Sequence, residues 1–202
     1  MIRKPAAVFM LLAGMSLGAA AAWAGPLKLT LSGSAGMFTP SGRTYQHLYG
    51  AGIPLSLDAW LTFGSRFGAA AGLNFLSDSG TAVAVNGGED DYPLKIVRLT
   101  IPVSLYYAAR LGRNVDLRFG VGAGLHRYRE EWTSLSLVTR GWKVSPRLCA
   151  SASWRAIPSL PRLAFVGTLD CDFVRIGSGA LLSDKTEIGG FEFLVGASWR
   201  FF

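Results

Sequence analysis

Polar and charged residues recur at alternate positions within eight short segments of this 202-residue chain, and the positions between them are mainly apolar. In an extended strand, such alternation places the two sets on opposite faces. The charged residues of the polar faces are Lys28, Asp58, Arg98, Asp116, Arg118, Lys143, Arg147, Asp170, Asp172, Glu192 and Arg200. Because an unpaired buried charge is costly, we predict that these residues pair as ions inside an enclosed interior.

Two histidines, His47 and His126, are the candidates for general-base chemistry. Hydrolysis of an acyl bond would need a serine beside the histidine and an acidic residue to orient it. No His-x-Ser pattern adjoins either histidine, and His126 shares the phase of the polar face. We therefore predict that His126 is a rim residue of the charged network. No catalytic, cofactor-binding or metal-binding residue is predicted, and the chain is not predicted to be an enzyme.

The two cysteines, Cys149 and Cys171, fall on neighbouring predicted strands. A pair of cysteines in an exported protein suggests a disulfide. However, Cys149 has the phase of the polar face and Cys171 that of the apolar face, whereas directly paired residues share a face. The pattern therefore disfavours a disulfide.

Charged residues also cluster between the predicted strands. One cluster is acidic, with Asp78, Glu89, Asp90 and Asp91, but its spacing matches no calcium-binding loop. A second is basic and aromatic, with Arg127, Arg129, Trp132 and Arg140. The second cluster could meet phosphate groups of lipopolysaccharide or another polyanion, although a solvated loop is the simpler interpretation. Nucleic-acid binding is not expected, because the positive charges are spread along the whole chain.

The segments that must position these residues have period two, which indicates strands and no helix. Each is close to the roughly 9–11 residues that a tilted strand needs to cross a bilayer. The predicted strands are 27–37, 53–63, 67–76, 94–107, 115–126, 142–154, 163–174 and 189–202. Pro54, Pro102 and Pro146 fall inside them, which predicts local bulges or rim positions.

The connections alternate between short and long. The short links are 64–66, 108–114 and 156–161, and the long links are 38–52, 77–93, 127–141 and 175–188. Outer-membrane barrels have short periplasmic turns and longer extracellular loops. The order predicts an all-β, eight-stranded antiparallel up-and-down transmembrane β-barrel with both termini in the periplasm. A soluble sandwich is the alternative, but its edge strands would expose aromatic faces prone to aggregation.

The first 24 residues are typical of a signal peptide. Arg3 and Lys4 precede an apolar run over 6–22, and Ala22-Trp23-Ala24 is a cleavage motif. The domain prediction is therefore a signal peptide at 1–24 and a barrel domain at 25–202. Removal of Arg3 and Lys4 lowers the formal net charge from +7 to +5.

The last strand ends in Ser198-Trp199-Arg200-Phe201-Phe202, and the fourth contains Ile101-Pro102-Val103-Ser104-Leu105-Tyr106-Tyr107. With the signal peptide and eight amphipathic strands, the chain resembles the small eight-stranded outer-membrane proteins of Gram-negative bacteria. These include the OmpA membrane domain and the OmpX/Ail group, also called porin-family outer-membrane β-barrel domains. The second terminal aromatic residue departs from the usual single one.

This resemblance implies a bacterial outer-membrane location and insertion by the barrel-assembly machinery, with Trp199, Phe201 and Phe202 as the C-terminal assembly signal. It implies contact with outer-membrane lipids and lipopolysaccharide, a monomer, no cofactor, and a surface ligand for the long loops. The expected function is structural or surface-interacting, with a polar, salt-bridged lumen. A narrow porin-like channel for small solutes is the alternative, and a lipid A acyl hydrolase or transferase is less favoured.

Overall fold

The computed structural model of the chain describes residues 27–64, 66–83, 91–176 and 186–201. The predicted signal peptide, Glu89, Asp90 and Phe202 lie outside the described residues. The described elements are β1 (Lys28–Pro40), α1 (Arg43–Tyr49), β2 (Leu55–Phe63), β3 (Phe67–Val83), β4 (Asp91–Leu111), β5 (Val115–Trp132), a 3-10 turn (Thr133–Leu135), β6 (Leu137–Trp154), β7 (Leu163–Asp172), β8 (Arg175–Ile176), β9 (Thr186–Glu187) and β10 (Gly190–Arg200).

Eight of these strands close into an antiparallel barrel, as the sequence predicts. The order around the barrel is β1-β10-β7-β6-β5-β4-β3-β2, so successive barrel strands pair with each other and β1 pairs with β10. The short strands β8 and β9 form a separate two-stranded sheet in the connection between β7 and β10. We call the end where β1 begins and β10 ends the terminal end, and the opposite end the loop end.

The register of the strands determines the width of the barrel. Stepping once around it through directly paired residues returns to β1 ten residues further along. The path runs Thr30, Trp60, Ala70, Ser104, Gly122, Arg147, Asp172, Gly190 and Pro40. That stagger in eight strands corresponds to a tilt of about 40° and an interior with room for side chains and little else.

The two faces of the barrel differ as the alternation predicts. Apolar side chains cover the outer face and are exposed, among them Leu57, Leu105, Val121, Val144 and Phe193. Small polar side chains on the inner face are buried, among them Ser32, Ser56, Ser104, Ser151 and Ser198. A continuous outer apolar surface of this kind is stable in lipid and would aggregate in water.

Strands β3 to β6 are longer than predicted. The segments 77–93 and 127–141, predicted as loops, are largely paired strand, because β3–β4 pairing reaches Val83 with Asp91 and β5–β6 pairing reaches Trp132 with Leu137. Many outward positions in these extensions, such as Ser79, Arg127 and Arg129, carry polar or charged groups rather than apolar ones. The alternation of apolar and polar residues therefore ends before the backbone hydrogen bonding between the strands ends.

Of the predicted bulges or rim positions, Pro54 takes a rim position just before β2, whereas Pro102 and Pro146 lie inside strands without a bulge. β3–β4 pairing is interrupted between Ala71 with Val103 and Asn74 with Thr100, opposite Pro102, but the register is the same on both sides of the gap. Proline has no backbone N–H to donate, so a ladder bond is lost without an extra residue being inserted.

The helix α1 corrects the prediction that the chain has no helix. It spans Arg43–Tyr49 and ends at Gly50, whose φ of 73° favours glycine. Seven residues make fewer than two turns, too few for the period of a helix to stand out in the sequence. Within the described part of the chain, no helix has the length and apolar character to cross a membrane.

Candidate functional site

The loop end of the interior is filled by apolar side chains, where the sequence predicts a polar lumen. This apolar plug consists of Phe38, Tyr45, Tyr49, Leu76, Leu94, Ile96, Tyr128, Val174 and Ile188. Phe38, which falls in the predicted long link 38–52, is fully buried inside the barrel. Phe38 is six residues after the inward Ser32 in β1, so both side chains lie on the inner face of the strand. The position in the strand, and not the residue type, therefore identifies the face of Phe38.

The helix α1 lies over the plug and closes the loop end. Tyr45 Oη donates to Asp78 Oδ2 at 3.0 Å, and Tyr49 Oη donates to Glu130 Oε1 at 2.6 Å. Burial raises the pKa of both tyrosines, so both phenols stay protonated as donors. Asp78, predicted to lie in an acidic loop, is instead an inward, buried residue of β3.

Next to the plug, Arg98 and Glu192 form a buried ion pair. Arg98 Nη1 also donates to the carbonyl oxygen of Ile188 at 2.6 Å, and Asn74 Nδ2 donates to Glu192 Oε2 at 2.6 Å. The Arg98 guanidinium stacks on Phe38, 4.4 Å from the ring centroid. This pair therefore connects β4, β10 and β3 and joins the charged interior to the apolar plug.

A second buried pair lies deeper in the interior. Arg147 Nη2 is 2.6 Å from Asp170 Oδ2, and Arg147 is directly opposite Asp172 on β7. Asp58 accepts a hydrogen bond from Ser56 Oγ at 2.9 Å. With Arg98 and Glu192, these residues form what we call the central charged layer, in which two guanidiniums face four carboxylates.

Asp116, Arg118 and Arg200 were also predicted to belong to the charged network, but they lie at the terminal end and not in the central charged layer. Asp116 pairs with Arg200 at 3.0 Å, and also with Arg155 at 3.3 Å and Arg110 at 3.2 Å. Arg155 and Arg110 were not predicted, because they lie at strand ends where the alternation stops. Arg118 is buried and donates to Ser153 Oγ at 2.9 Å.

Two members of the predicted network lie outside it. Lys143 shares the inward phase of β6 but is exposed near the loop end, and Lys28 is half-buried at the start of β1. Neither has a carboxylate at ion-pair distance among the residues that the structure describes. The alternation along each strand correctly predicts that these side chains lie on the inner face. It does not predict how far from the end of the barrel they lie.

His126 is not the predicted rim residue. It is fully buried, with Nδ1 at 2.9 Å from Thr100 Oγ1 and Nε2 at 2.7 Å from Ser145 Oγ. The sequence shows no His-x-Ser pattern at His126, and the serine that contacts the ring, Ser145, comes from the neighbouring strand β6. However, the ring is buried and is oriented by a neutral hydroxyl rather than by a carboxylate, and the arrangement cross-links β4, β5 and β6.

Both cysteines are free thiols, as their phases indicate. Cys149 is buried opposite Asp170, whereas Cys171 is half-buried opposite Leu148 and follows the outward phase. The two side chains therefore lie on opposite faces of the barrel wall.

The interior contains little free space. A cavity of about 10 Å³ lies beside Asp58, Arg147 and Asp170, which is room for about one water molecule. The plug, the central charged layer and the cover of α1 thus leave no wide passage through the described part of the barrel.

The family model for the outer membrane protein β-barrel domain matches residues 7–146. A search of the curated proteins returns no significant match. Among solved structures, the chain is similar to the outer membrane protein OprG from Pseudomonas aeruginosa, with 14% identity and a TM-score of 0.66, over 89% of this chain and 97% of OprG.

Two further structures share the fold. The first is Neisserial surface protein A, with 8% identity, a TM-score of 0.55, and coverage of 87% of this chain and 97% of that one. The second is the attachment invasion locus protein Ail of Yersinia pestis in complex with a heparin analogue, with 12% identity, a TM-score of 0.54 and the same coverage. With the family match, these folds assign the chain to the outer-membrane protein β-barrel domain family of the bacterial outer membrane.

Proposed function

We propose that this protein is a closed, non-conducting outer-membrane barrel of structural or surface-interaction type. The observation that carries this proposal is the filled interior, in which α1 and the apolar plug lie in series with the central charged layer. An eight-stranded barrel has room for such side chains and for little else. The interior therefore supports a scaffold for the loop end better than a path for solutes.

In this proposal both termini are periplasmic and the loop end faces outward, after removal of residues 1–24. The three short connections, which join β2 to β3, β4 to β5 and β6 to β7, share the terminal end, while α1 and the extended hairpins share the loop end. This arrangement matches the short periplasmic turns and long extracellular loops of outer-membrane barrels.

The extended hairpins offer a surface for an anionic partner. Arg127, Arg129 and Arg140 lie in the extensions of β5 and β6, and the Arg127 guanidinium is 5.8 Å from the Trp142 ring centroid. Lipopolysaccharide phosphates are the first partners to test, since arginine pairs well with phosphate. A sulfated polysaccharide is the second, because Ail was solved with a heparin analogue.

Purified barrel in a planar bilayer is expected to give no stable conductance, because the filled interior leaves no continuous water path. The measurement is single-channel recording over a range of voltages. A heat-modifiability gel on the same preparation is the control for folding, since a closed barrel migrates faster when it is not heated. Stable, large and frequent channels would instead support the porin-like alternative.

We expect Phe201→Ala to impair assembly more than deletion of Phe202. Phe201 is exposed at the terminal end, its N–H donates to the Leu29 carbonyl at 2.9 Å, and its phase matches the outward Trp199. The measurement is the fraction of heat-modifiable barrel in the outer-membrane fraction of expressing cells. Equal defects, or a larger defect on deletion of Phe202, would contradict Phe201 as the recognised aromatic residue.

A further inference from the structure

The terminal end of the barrel has an excess of positive charge around a cavity. Four arginines and one carboxylate line this cavity, which gives a formal charge of +3. They are Arg118, Arg155, Arg162, Arg200 and Asp116, and we call them the terminal mouth. The central charged layer has the opposite balance, so the terminal mouth and this layer differ in the sign of their excess charge.

The single carboxylate of the terminal mouth is shared. Asp116 pairs with Arg155 and Arg200 and, outside the cavity lining, with Arg110. One negative charge cannot balance three guanidiniums that converge on it, and like charges at this separation repel one another. The geometry of the terminal mouth therefore leaves positive charge available for a further anion.

Arg118 provides an independent observation. It is 5% exposed, and its partners are the Ser153 hydroxyl and the Trp60 ring, whose centroid is 5.0 Å from the guanidinium carbon. Among the described residues, none places a carboxylate at ion-pair distance from this guanidinium. The carboxylate nearest in effect, Asp116, lines the same cavity but is already paired with three other arginines, so a further anion there would stabilise the buried guanidinium.

The chemistry of the lining indicates which anion fits. The hydroxyls of Thr30 and Ser153 accompany the arginines around the same cavity, whereas the Ser198 hydroxyl donates to the Ala164 carbonyl. Guanidiniums bind phosphate through paired N–H donors, and hydroxyls add further hydrogen bonds to its oxygens. Because the cavity has a volume of only about 10 Å³, room for one water molecule, a phosphate group must bind at its open rim, beside the partly exposed Arg155, Arg162 and Arg200.

We propose that the terminal mouth is a binding site for a phosphate group, either a free phosphate ion or the phosphate of a lipid headgroup. Arg118 binds it from the buried side, Arg155 and Arg200 bind it from the rim, and Asp116 holds the rim arginines in place. The site does not depend on the orientation of the barrel or on whether its interior conducts.

The test is calorimetric titration of the full-length barrel in dodecyl maltoside, which contains no phosphate, at constant ionic strength. One arm uses sodium phosphate and a second uses monomeric dihexanoyl phosphatidylglycerol, with dihexanoyl glycerol as the lipid control without phosphate. Saturable binding of sodium phosphate identifies a soluble ion as sufficient. Binding of phosphatidylglycerol alone identifies the headgroup as the source. Absence of binding in both arms overturns the site.

The arginines are tested with Arg118→Gln and Arg200→Gln, each expected to weaken binding by roughly tenfold or more. Arg43→Gln, which removes an exposed arginine of α1 at the loop end, is the matched control and is expected to bind as the wild type does. If Arg118→Gln fails to fold, Arg200→Gln still tests the site, because the Arg200 side chain is 28% exposed and its replacement should disturb folding less. Binding that neither glutamine variant weakens overturns the proposal.

Discussion

Arg98→Met is expected to destabilise the barrel by about 3–5 kcal/mol, because it leaves Glu192 as a buried charge without its partner. Arg98 is 2% exposed, and the same substitution removes its hydrogen bond to Ile188 and its stacking on Phe38. Methionine keeps much of the side-chain volume, so the loss comes mainly from the charge. The measurement is urea unfolding of the barrel in lipid vesicles, followed by tryptophan fluorescence.

Arg129→Met provides the matched control. Arg129 pairs with Glu131 at 3.1 Å, but the two side chains are 60% and 42% exposed, so its loss should cost less than about 1 kcal/mol. The double variant Arg98→Met/Glu192→Met is expected to recover much of the stability, since it removes both buried charges. Equal unfolding midpoints for Arg98→Met and Arg129→Met would show that the buried pair does not stabilise the barrel.

The eight strands and their faces could be predicted because a bilayer imposes a simple rule on the sequence. Leu55, Leu57 and Leu61 alternate with Ser56, Asp58 and Trp60, and this period of two is readable without any partner strand. Lipid requires the outer face to stay apolar across the whole span, so the signal persists in each strand. The order of short and long connections then fixes the up-and-down topology.

Depth inside the barrel could not be predicted in the same way. Arg98 and Glu192 are 94 residues apart in the chain, and they meet only because the stagger of the closed barrel brings β4 and β10 to the same level. Strand phase places Lys143 on the inner face as it does Arg147, yet one is exposed and the other is buried. The alternation within a strand predicts which face a side chain lies on, whereas the pairing register between strands determines which residues it contacts.

The apolar plug was missed for a related reason. Leu76, Leu94 and Ile96 occupy positions where the alternation predicts polar, inward-facing residues. In the sequence, an apolar residue at such a position looks like an irregularity in the pattern and not like part of a core. Tyr45 and Tyr49 are four residues apart and so lie on one face of a helix, but two positions do not establish a helical period. Their acceptors, Asp78 and Glu130, come from distant strands. The contacts that fold α1 are therefore not local in sequence.

The double variant Tyr45→Ala/Tyr49→Ala is expected to release α1 from the barrel. Both rings are buried, and removing a buried aromatic ring typically costs about 3–5 kcal/mol. A helix of seven residues is not stable alone, so α1 should unfold locally while the barrel stays closed. Trypsin cleavage after Arg43, followed by mass spectrometry, should become at least roughly 100-fold faster than in the wild type.

Two controls separate this effect from general damage. His47→Ala removes an exposed side chain of the same helix and is expected to leave the cleavage rate unchanged. Tyr45→Phe/Tyr49→Phe keeps the rings but removes the donors to Asp78 and Glu130, so its rate should be intermediate. The heat-modifiable band must persist in every variant. If the alanine variant were cleaved as slowly as the wild type, α1 would be held by contacts other than these two tyrosines, and the closure of the loop end would need a different explanation.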